Sequence, residues 1–260
     1  VRVALPDGLA TLGSNAFNGC TRLTSIEIPG TVERLGPSAF SGCSALTNAT
    51  FGAGVANIGN DAFYTCSKLV AVHIPDSVTN IGTRAFYGNG SLKTFVLGDG
   101  VATIGAEAFR NDYSLASLVL PASLNTIGDQ AFRNCSALSR MLFLGDAPTL
   151  GGASVFQYMP AILYYRPGAQ GWVASFGGRQ TACWNPAPQA GTTFGFAPGG
   201  FGFTVVGNPD IPVRIDVAED CASGPWVPLV NGTLGVAGAL RVEDPASPDR
   251  PVRFYRIAFP

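Results

Sequence analysis

The segment NIGNDAFYTC, residues 57–66, shares Asn, Ile, Gly, Ala, Phe and Tyr at the same places with NIGTRAFYGN, residues 80–89, which lies 23 positions later. The same period continues in both directions along the chain. An Ala-Phe pair recurs with its phenylalanine at Phe17, Phe40, Phe63, Phe86, Phe109 and Phe132. Glycine recurs at Gly13, Gly36, Gly59, Gly82, Gly105, Gly128 and Gly151. Leucine opens each unit at Leu23, Leu46, Leu69, Leu92, Leu115 and Leu138. A fixed period of this length across several columns is typical of a solenoid built from stacked coils.

One unit of the repeat reads LVAVHIPDSVTNIGTRAFYGNGS, residues 69–91. Leu69, Val72 and Ile74 have the spacing of the strand in a leucine-rich repeat. We therefore predict a mainly β solenoid in which each coil has a short strand, a turn near the proline, and a short helical or 3₁₀ return over residues 82–86. The glycine that ends each apolar pair suits a tight corner or a close approach between neighbouring coils. A single unit is too small to offset its ordering entropy, so the units must stack.

The composition bounds the possible partners. The net charge is −1 and only 13% of the residues are charged, which argues against a nucleic-acid partner and against attraction to an anionic membrane. No apolar run reaches the roughly 18–20 residues needed to span a bilayer. The start of the chain shows no signal-peptide pattern. Because Val1 already lies inside the first predicted strand, we expect this chain to be a fragment, or an N-terminal part to be missing that covers this edge.

The framework L-x-x-I-x-I-P-x-x-V-x-x-I-G-x-x-A-F-x-x-C resembles the BspA-type bacterial leucine-rich repeat, over residues 1 to about 155. The commoner leucine-rich pattern has Asn or Cys after the strand. This chain instead has small residues there, at Gly8, Thr31, Gly54, Ser77, Gly100 and Ser123, so an asparagine ladder is not expected. The last unit decays, since Phe156 comes one place late. The resemblance implies surface display and binding to a host or matrix component.

Six cysteines could indicate disulfides, but four of them occupy one column of the repeat. That column holds Cys20, Cys43, Cys66, Asn89, Asp112 and Cys135. Stacked side chains point in parallel, which is poor geometry for a bridge, so we expect reduced and mostly buried thiols. Cys183 and Cys221 lie outside the repeat, and a bond between them stays open.

We divide the chain into four parts. Residues 1–156 are the solenoid, and residues 157–186 are its C-terminal cap, in which Trp172 and Phe176 cover the open end of the stack. Residues 187–200 are rich in Pro and Gly and are predicted to be a linker. Residues 201–260 alternate at period two and are predicted to form a small β-sandwich-like module, with a hairpin turn at Asn231-Gly232. This part is similar to modules that end large secreted bacterial proteins.

The sequence contains few residues that could carry out catalysis or bind a metal. His73 is the only histidine, and the repeat register puts it on the solvent face of the strands, where no nucleophile accompanies it. The sequence has no C-x-x-C, no second histidine and no calcium-loop pattern, and GGFGF lacks the spacing of a phosphate loop. We therefore expect no enzyme activity, no metal and no cofactor.

The outward residues of the strands form the surface that we predict to bind a partner, because solenoids bind through such extended faces. It is polar towards the N-terminus and apolar towards the C-terminus. The candidate partner-binding residues are Glu27, Asn48, Thr50, His73, Thr94, Val96, Ser117, Val119, Arg140 and Leu142.

The resulting prediction is a non-catalytic scaffold for protein interaction or adhesion, secreted or on the cell surface, whose protein or matrix partner is not identified. Two alternatives remain open at this point. The solenoid could be a rigid spacer that the β module anchors or sorts. The chain could also be the tail of a larger enzyme with a carbohydrate-binding β module, which exposure of Trp226 or Tyr255 would favour.

Overall fold

A computed structural model describes residues 1–189, 195–197, 200–222, 224–245 and 252–260, of which 195–197 and 200 are described by their backbone alone. The chain forms two compact units, Val1–Thr181 and Ala182–Pro260. The described residues form strands and turns and no helix, and none of them builds an apolar helix that could cross a membrane. The predicted mainly β class is confirmed.

Each coil of the first unit contributes two strands, on opposite sides of the stack. The front strands are β1 (Arg2–Val3), β3 (Ser25–Ile28), β5 (Asn48–Phe51), β7 (Ala71–His73), β9 (Thr94–Val96), β11 (Ser117–Leu120), β13 (Arg140–Phe143) and β15 (Ile162–Tyr165). The back strands are β2 (Thr11–Leu12), β4 (Arg34–Leu35), β6 (Asn57–Ile58), β8 (Asn80–Ile81), β10 (Thr103–Ile104), β12 (Thr126–Ile127) and β14 (Thr149–Leu150). Two further strands, β16 (Ser175–Phe176) and β17 (Arg179–Cys183), extend the front side.

The strands pair in parallel with the register that the sequence repeat dictates. In the back sheet, Thr103 pairs with Thr126, its counterpart in the next coil, and all seven back strands form one continuous sheet. In the front sheet, Ile26 likewise pairs with its counterpart Ala49. Each strand therefore pairs with its copy in the next coil at an offset equal to the sequence period, and the predicted solenoid is confirmed.

The return segment differs from its predicted helical form. It is a series of turns, as in Phe40 N donating to Ala62 O of the next coil at 2.8 Å. Two residues of each return have the left-handed backbone that a right-handed helix excludes. The first sits just before the alanine, at Asn15, Ser38, Asp61, Arg84, Glu107 and Gln130, with φ between 52° and 59°. The second sits two places after the phenylalanine, at Gly19, Gly42, Thr65, Gly88, Asn111 and Asn134. Alternate N–H groups consequently bond to the next coil rather than along the segment.

Thr65→Gly is expected to raise the free energy of unfolding by about 1 kcal/mol, because a β-branched residue at φ 53° is sterically strained and glycine is not. Part of this gain is offset by the greater freedom of glycine in the unfolded chain. Urea denaturation measures the change. The reverse substitution in the preceding coil, Gly42→Thr at φ 71°, is the control and should lower stability by a similar amount. A less stable Thr65→Gly would contradict this account of the return.

The core of the solenoid is a column of phenylalanine rings. Phe40 lies 5.1 Å from Phe63, and Phe63 lies 5.2 Å from Phe86, measured between ring centres of nearly parallel rings. Phe156, although one place late in the sequence, still stacks on Phe132 at 6.1 Å. Leucine, isoleucine and valine columns from the strands surround the rings and are buried. Stacked coils thus bury faces that one coil alone would expose.

The front sheet is split between β9 and β11, whereas the back sheet runs past this point without a break. Phe95 occupies the inward strand position that Val72 and Leu118 take in the neighbouring coils, and its ring meets Phe86 and Phe109 edge-on at 4.9 and 4.7 Å. Those two rings are 5.6 Å apart, the widest spacing from Phe17 to Phe132. The split in the front sheet therefore coincides with this extra ring, which packs between the phenylalanines of two neighbouring coils.

The last coil ends in an aromatic cluster. Trp172 lies 4.7 Å from Phe143, 5.3 Å from Tyr165 and 5.0 Å from Phe176 between ring centres, and its indole N–H donates to the carbonyl of Gly145. These rings pack against the end of the core. The predicted covering role of Trp172 and Phe176 is consistent with this packing.

The second unit has two small antiparallel sheets. One contains β18 (Ala187–Pro188), β19 (Gly195–Ala197), β20 (Gly200–Val206) and β23 (Ala239–Asp244). The other contains β21 (Pro212–Ala218), β22 (Val227–Thr233) and β24 (Phe254–Ala258). In β21 the predicted inward residues Val213, Ile215 and Val217 are buried, but Asp216 and Ala218 between and beyond them are buried as well, so burial in this strand does not alternate.

Two features of this unit differ from expectation. The predicted hairpin at Asn231-Gly232 is wrong, because these residues lie within β22 and pair with β21. A Cβ at Gly232 would lie 3.1 Å from a methyl carbon of Leu240, so the two residues are closely packed. The predicted linker, 187–200, contains strands β18 and β19, and its residues 190–194 and 198–199 lie outside the described residues.

The cysteines are free thiols. Cys43, Cys66 and Cys135 are buried, whereas Cys20 in the first coil is exposed. Cys183 and Cys221 do not form a disulfide with each other.

Candidate partner-binding face

The parallel register brings the ten predicted residues into two columns on the front of the solenoid. Seven of them are exposed, namely Glu27, Asn48, Thr50, His73, Thr94, Val96 and Val119. We call the ten residues together the front face. Side chains along a strand point alternately to its two sides. Where an inward residue such as Ile26 is buried in the core, the residues on either side of it in the strand therefore point outward. Glu27 is paired with Thr50, and His73 with Val96.

The C-terminal end of the front face is less open than predicted. Ser117 and Arg140 are half-buried, and Leu142 is buried, with 2% of its surface exposed. The prediction that Leu142 is exposed is wrong. The extra strand β15 pairs with β13 and sets Tyr164 beside Leu142 in the register, and the tyrosine is itself buried. Val96 and Val119, at 47% and 38% exposed, are the apolar part that remains open.

A groove of about 480 Å³ lies at the N-terminal end of the front face. Glu27, Asn48 and Thr50 line it, and Arg2 and Asp7 add charges of opposite sign. Hydroxyl, amide and carboxylate groups of this kind can donate to and accept from a polypeptide partner. The groove lies within one compact unit and is open to solvent.

His73 does not have the surroundings of a catalytic base. Its row neighbours Thr50 and Val96 provide no carboxylate to orient the imidazole. Among the residues that the structure describes, no three His, Cys, Asp or Glu side chains lie close enough together to hold a metal ion.

The back sheet was not predicted, and with it a second, partly exposed column was missed. This back row consists of Thr11, Arg34, Asn57, Asn80, Thr103, Thr126 and Thr149. Side chains within it bond to one another: the Asn80 amide donates to Asn57 at 2.9 Å, and the Thr126 hydroxyl to Thr103 at 3.2 Å. The signal was present in the sequence, because a polar residue precedes the Ile or Leu of every coil at this place.

The rings that would favour carbohydrate binding in the second unit are both partly covered. The guanidinium of Arg256 lies 4.6 Å from the ring centre of Trp226, so that face of the indole is occupied. The Tyr255 hydroxyl donates to Asp244 at 2.8 Å. Both residues are half-buried, which provides little support for the carbohydrate alternative.

Similarity to a known family is found in the solenoid. Residues 2–116 match six copies of the BspA type leucine rich repeat region. A search of curated proteins finds no significant match. A leucine rich repeat protein of T. pallidum is 29% identical, with a TM-score of 0.52 over 64% of this chain and 74% of that one.

Two further crystal structures match less closely. A leucine rich cell surface protein of Faecalibacterium prausnitzii A2-165 is 29% identical, with a TM-score of 0.45 over 65% of this chain and 54% of that chain. A leucine-rich repeat protein of Bacteroides ovatus is 22% identical, with a TM-score of 0.37 over 64% and 63% of the two chains. The repeat period and the coil geometry agree with this match, and residues 2–116 of the solenoid are similar to the BspA-type leucine-rich repeat.

Proposed function

We propose that this chain is a non-catalytic interaction scaffold that binds a protein partner through the front face of its solenoid. The similarity of residues 2–116 to the BspA-type leucine-rich repeat supports an extracellular or cell-surface location for this role. Support also comes from the geometry, because an extended and regular strand face is the surface that solenoids use for binding.

The groove at the N-terminal end of the front face is the observation that carries the proposal. It combines hydrogen-bonding side chains with charges of both signs, and three of the residues predicted from sequence line it. On the back row, in contrast, four of the seven side chains are bonded to one another in two pairs, Asn80 with Asn57 and Thr126 with Thr103. A partner therefore meets more hydrogen-bonding groups that are open to contact on the front than on the back.

The test uses two threonines that are both exposed strand residues, on opposite sides of the same solenoid. The intact chain is immobilised and offered extracellular-matrix proteins and bacterial envelope proteins, and saturable binding is measured. Thr50→Arg is expected to weaken binding at least about tenfold, a loss of roughly 1.4 kcal/mol, because it fills the groove. Thr126→Arg on the back row is the matched control and should bind as the unaltered chain does.

Equal losses for the two variants, with both folded, would show that binding does not use the front face. Unchanged binding by Thr50→Arg, together with Glu27→Arg, would remove the groove from consideration. Circular dichroism and urea denaturation of each variant separate a lost contact from a lost fold.

A rigid spacer remains the second candidate, and the continuous back sheet favours it. Seven paired back strands and the phenylalanine column give the stack one uninterrupted side. A spacer would show no saturable partner for the solenoid under any of the conditions above, while retaining the full length of the stack in small-angle scattering.

A further inference from the structure

One column of the repeat acts as a hydrogen-bond donor to an earlier coil. It is the column of the buried cysteines, and in each case the acceptor is the carbonyl of the phenylalanine that opens the same turn one coil before. The four bonds are Cys43 Sγ to Phe17 O at 3.1 Å, Cys66 Sγ to Phe40 O at 3.1 Å, Asn89 Nδ2 to Phe63 O at 3.2 Å, and Cys135 Sγ to Phe109 O at 3.0 Å. Thiol and amide side chains both meet this requirement because both carry a hydrogen to donate.

Asp112 occupies the same column but, when ionised, has no hydrogen to donate. Its side chain is fully buried. Oδ1 accepts from the backbone N–H of Asn89 at 2.8 Å, whereas Oδ2 is buried without a bond from any donor. A carboxylate and a carbonyl are both acceptors, so they cannot bond unless a proton lies between them.

The carbonyl that corresponds to the other four acceptors is that of Phe86. It already accepts from the Asn89 side chain at 2.7 Å. A carbonyl oxygen has two lone pairs, so this bond leaves one of them for a second donor. The acceptor that the column requires is therefore present in this coil, and the missing part is a hydrogen on Asp112.

We propose that Asp112 is a neutral carboxylic acid in the folded solenoid, and that its Oδ2–H donates to Phe86 O. The repeat then has the same bond in this coil as in its neighbours. The proton also removes a charge that would otherwise be buried without a counter-ion, an arrangement that costs far more than a neutral group.

The groups that face Asp112 do not favour its ionised form. On the preceding coil, Asn89 is an uncharged amide. On the following coil, Cys135 is a buried thiol, and burial raises the pKa of that thiol. Burial likewise raises the pKa of Asp112 well above its ordinary value, and the N–H of Asn89 lowers it by less. No cation among these neighbours would hold the carboxylate.

Asp112 lies where a change in its charge would affect the stability of one particular coil. It lies in the coil that leads into β11, on one side of the split in the front sheet. In five other coils the N–H of the opening leucine donates to the carbonyl of the column residue, as Leu138 does to Cys135 at 3.0 Å. Among the described residues, the corresponding bond from Leu115 to Asp112 is not formed. Ionisation of Asp112 would therefore act on a coil that already has fewer backbone bonds.

The direction of the pH effect follows from linkage. Because the folded-state pKa lies above the ordinary value of 3.8, the folded chain binds a proton that the unfolded chain has already released. The stability that this group contributes is fully present below pH 3.8, and it falls as the pH rises through the folded-state value. In that window, each pH unit lowers the folding equilibrium constant by up to about tenfold.

The experiment compares the intact chain with Asp112→Asn and Asp112→Cys between pH 4 and pH 8, using urea denaturation. Both replacements occur naturally in this column and can donate. The amide does not titrate, and a thiol, with an ordinary pKa of about 8.5, ionises only near the upper end of this range. We expect the stability of the unaltered chain relative to either variant to fall steadily as the pH rises. Asp99→Asn, at an exposed aspartate, is the control and should show no such trend.

A spectroscopic measurement tests the proton directly and does not depend on how the variants fold. The infrared spectrum of the unaltered chain at pH 6 should contain the carbonyl band of a protonated carboxylic acid in a hydrogen bond. That band should be lost in Asp112→Asn. A chain without this band, or a stability difference that does not change with pH, would overturn the proposal.

Discussion

Phe86→Ala is expected to lower the free energy of unfolding of the solenoid by about 3–5 kcal/mol, the usual cost of deleting a buried aromatic ring. Phe86 is fully buried, and its ring contacts Phe63, Phe95 and Phe109 at 4.9 to 5.6 Å between ring centres. The cavity would lie in the middle of the column. The coils on both sides are held by hydrogen bonds between their strands, so they have little freedom to move into the cavity. Urea denaturation followed by far-ultraviolet circular dichroism measures the loss.

The adjacent residue provides the control. Tyr87 is also a stacked ring, 5.0 Å from Tyr64, but it is half-buried on the outside of the return. Tyr87→Ala should cost about 1 kcal/mol, the order expected for an aromatic pair near the surface. If the two substitutions cost the same, the phenylalanine column is not what holds the coils together.

Gly105→Ala is expected to cost about 3 kcal/mol, although it adds a single methyl group. A Cβ at this position would come within 2.5 Å of Thr83 N and 2.6 Å of Gly82 C. Both are backbone atoms of the preceding coil, which the back sheet holds in place on each side. The methyl group can be accommodated only by separating two coils, so the loss should appear as a lower urea midpoint and as faster amide exchange in β8 and β10.

The same column supplies the control for this prediction. Gly13, in the first coil, has no atom within 4 Å of the position that a Cβ would take. Gly13→Ala should therefore leave stability unchanged to within about 0.5 kcal/mol. A large loss at Gly13, or no loss at Gly105, would show that close approach between coils does not explain the glycine column.

The columns of the core could be predicted from the sequence because each one records a packing requirement. A phenylalanine at the same place in every coil indicates a ring stack, and a glycine at the same period indicates close approach of backbones, as Gly105 shows. The period also predicts the register, since a strand can pair with its copy only where identical positions meet. The alternation of the front strands predicted the exposed side of Glu27 and Thr50.

The return and the back sheet could not be predicted in the same way. Left-handed backbone at Arg84, Glu107 and Gln130 goes against the preference of those residues, so it is imposed by hydrogen bonds to the next coil. A strand of two residues is too short to show alternation. Both features arise from contact between coils, which a reading of one coil at a time does not contain.

The candidate face was predicted in part. Strand alternation predicts which side of a strand faces outward, and it succeeds where neighbouring coils repeat the same pattern. It fails at Leu142, since β15 belongs to the decayed end of the repeat and brings in Tyr164. The split in the front sheet beside Phe95 could not be predicted from the repeat columns either. Phenylalanine is an ordinary apolar residue for a strand, and only its volume is unusual at this position.

The split front sheet has a mechanical consequence. Away from β9 and β11, the coils are joined along the front, the back and the return, and a stack held on three sides resists bending in every direction. Between those strands no backbone pairing is formed, and the two coils are joined by the back sheet, the return and two hydroxyl bonds, from Ser114 to Gly90 O at 2.6 Å and from Ser123 to Val101 O at 2.7 Å. We therefore expect the front of the stack to resist opening less at this point than elsewhere, while the continuous back sheet keeps the whole stack in line.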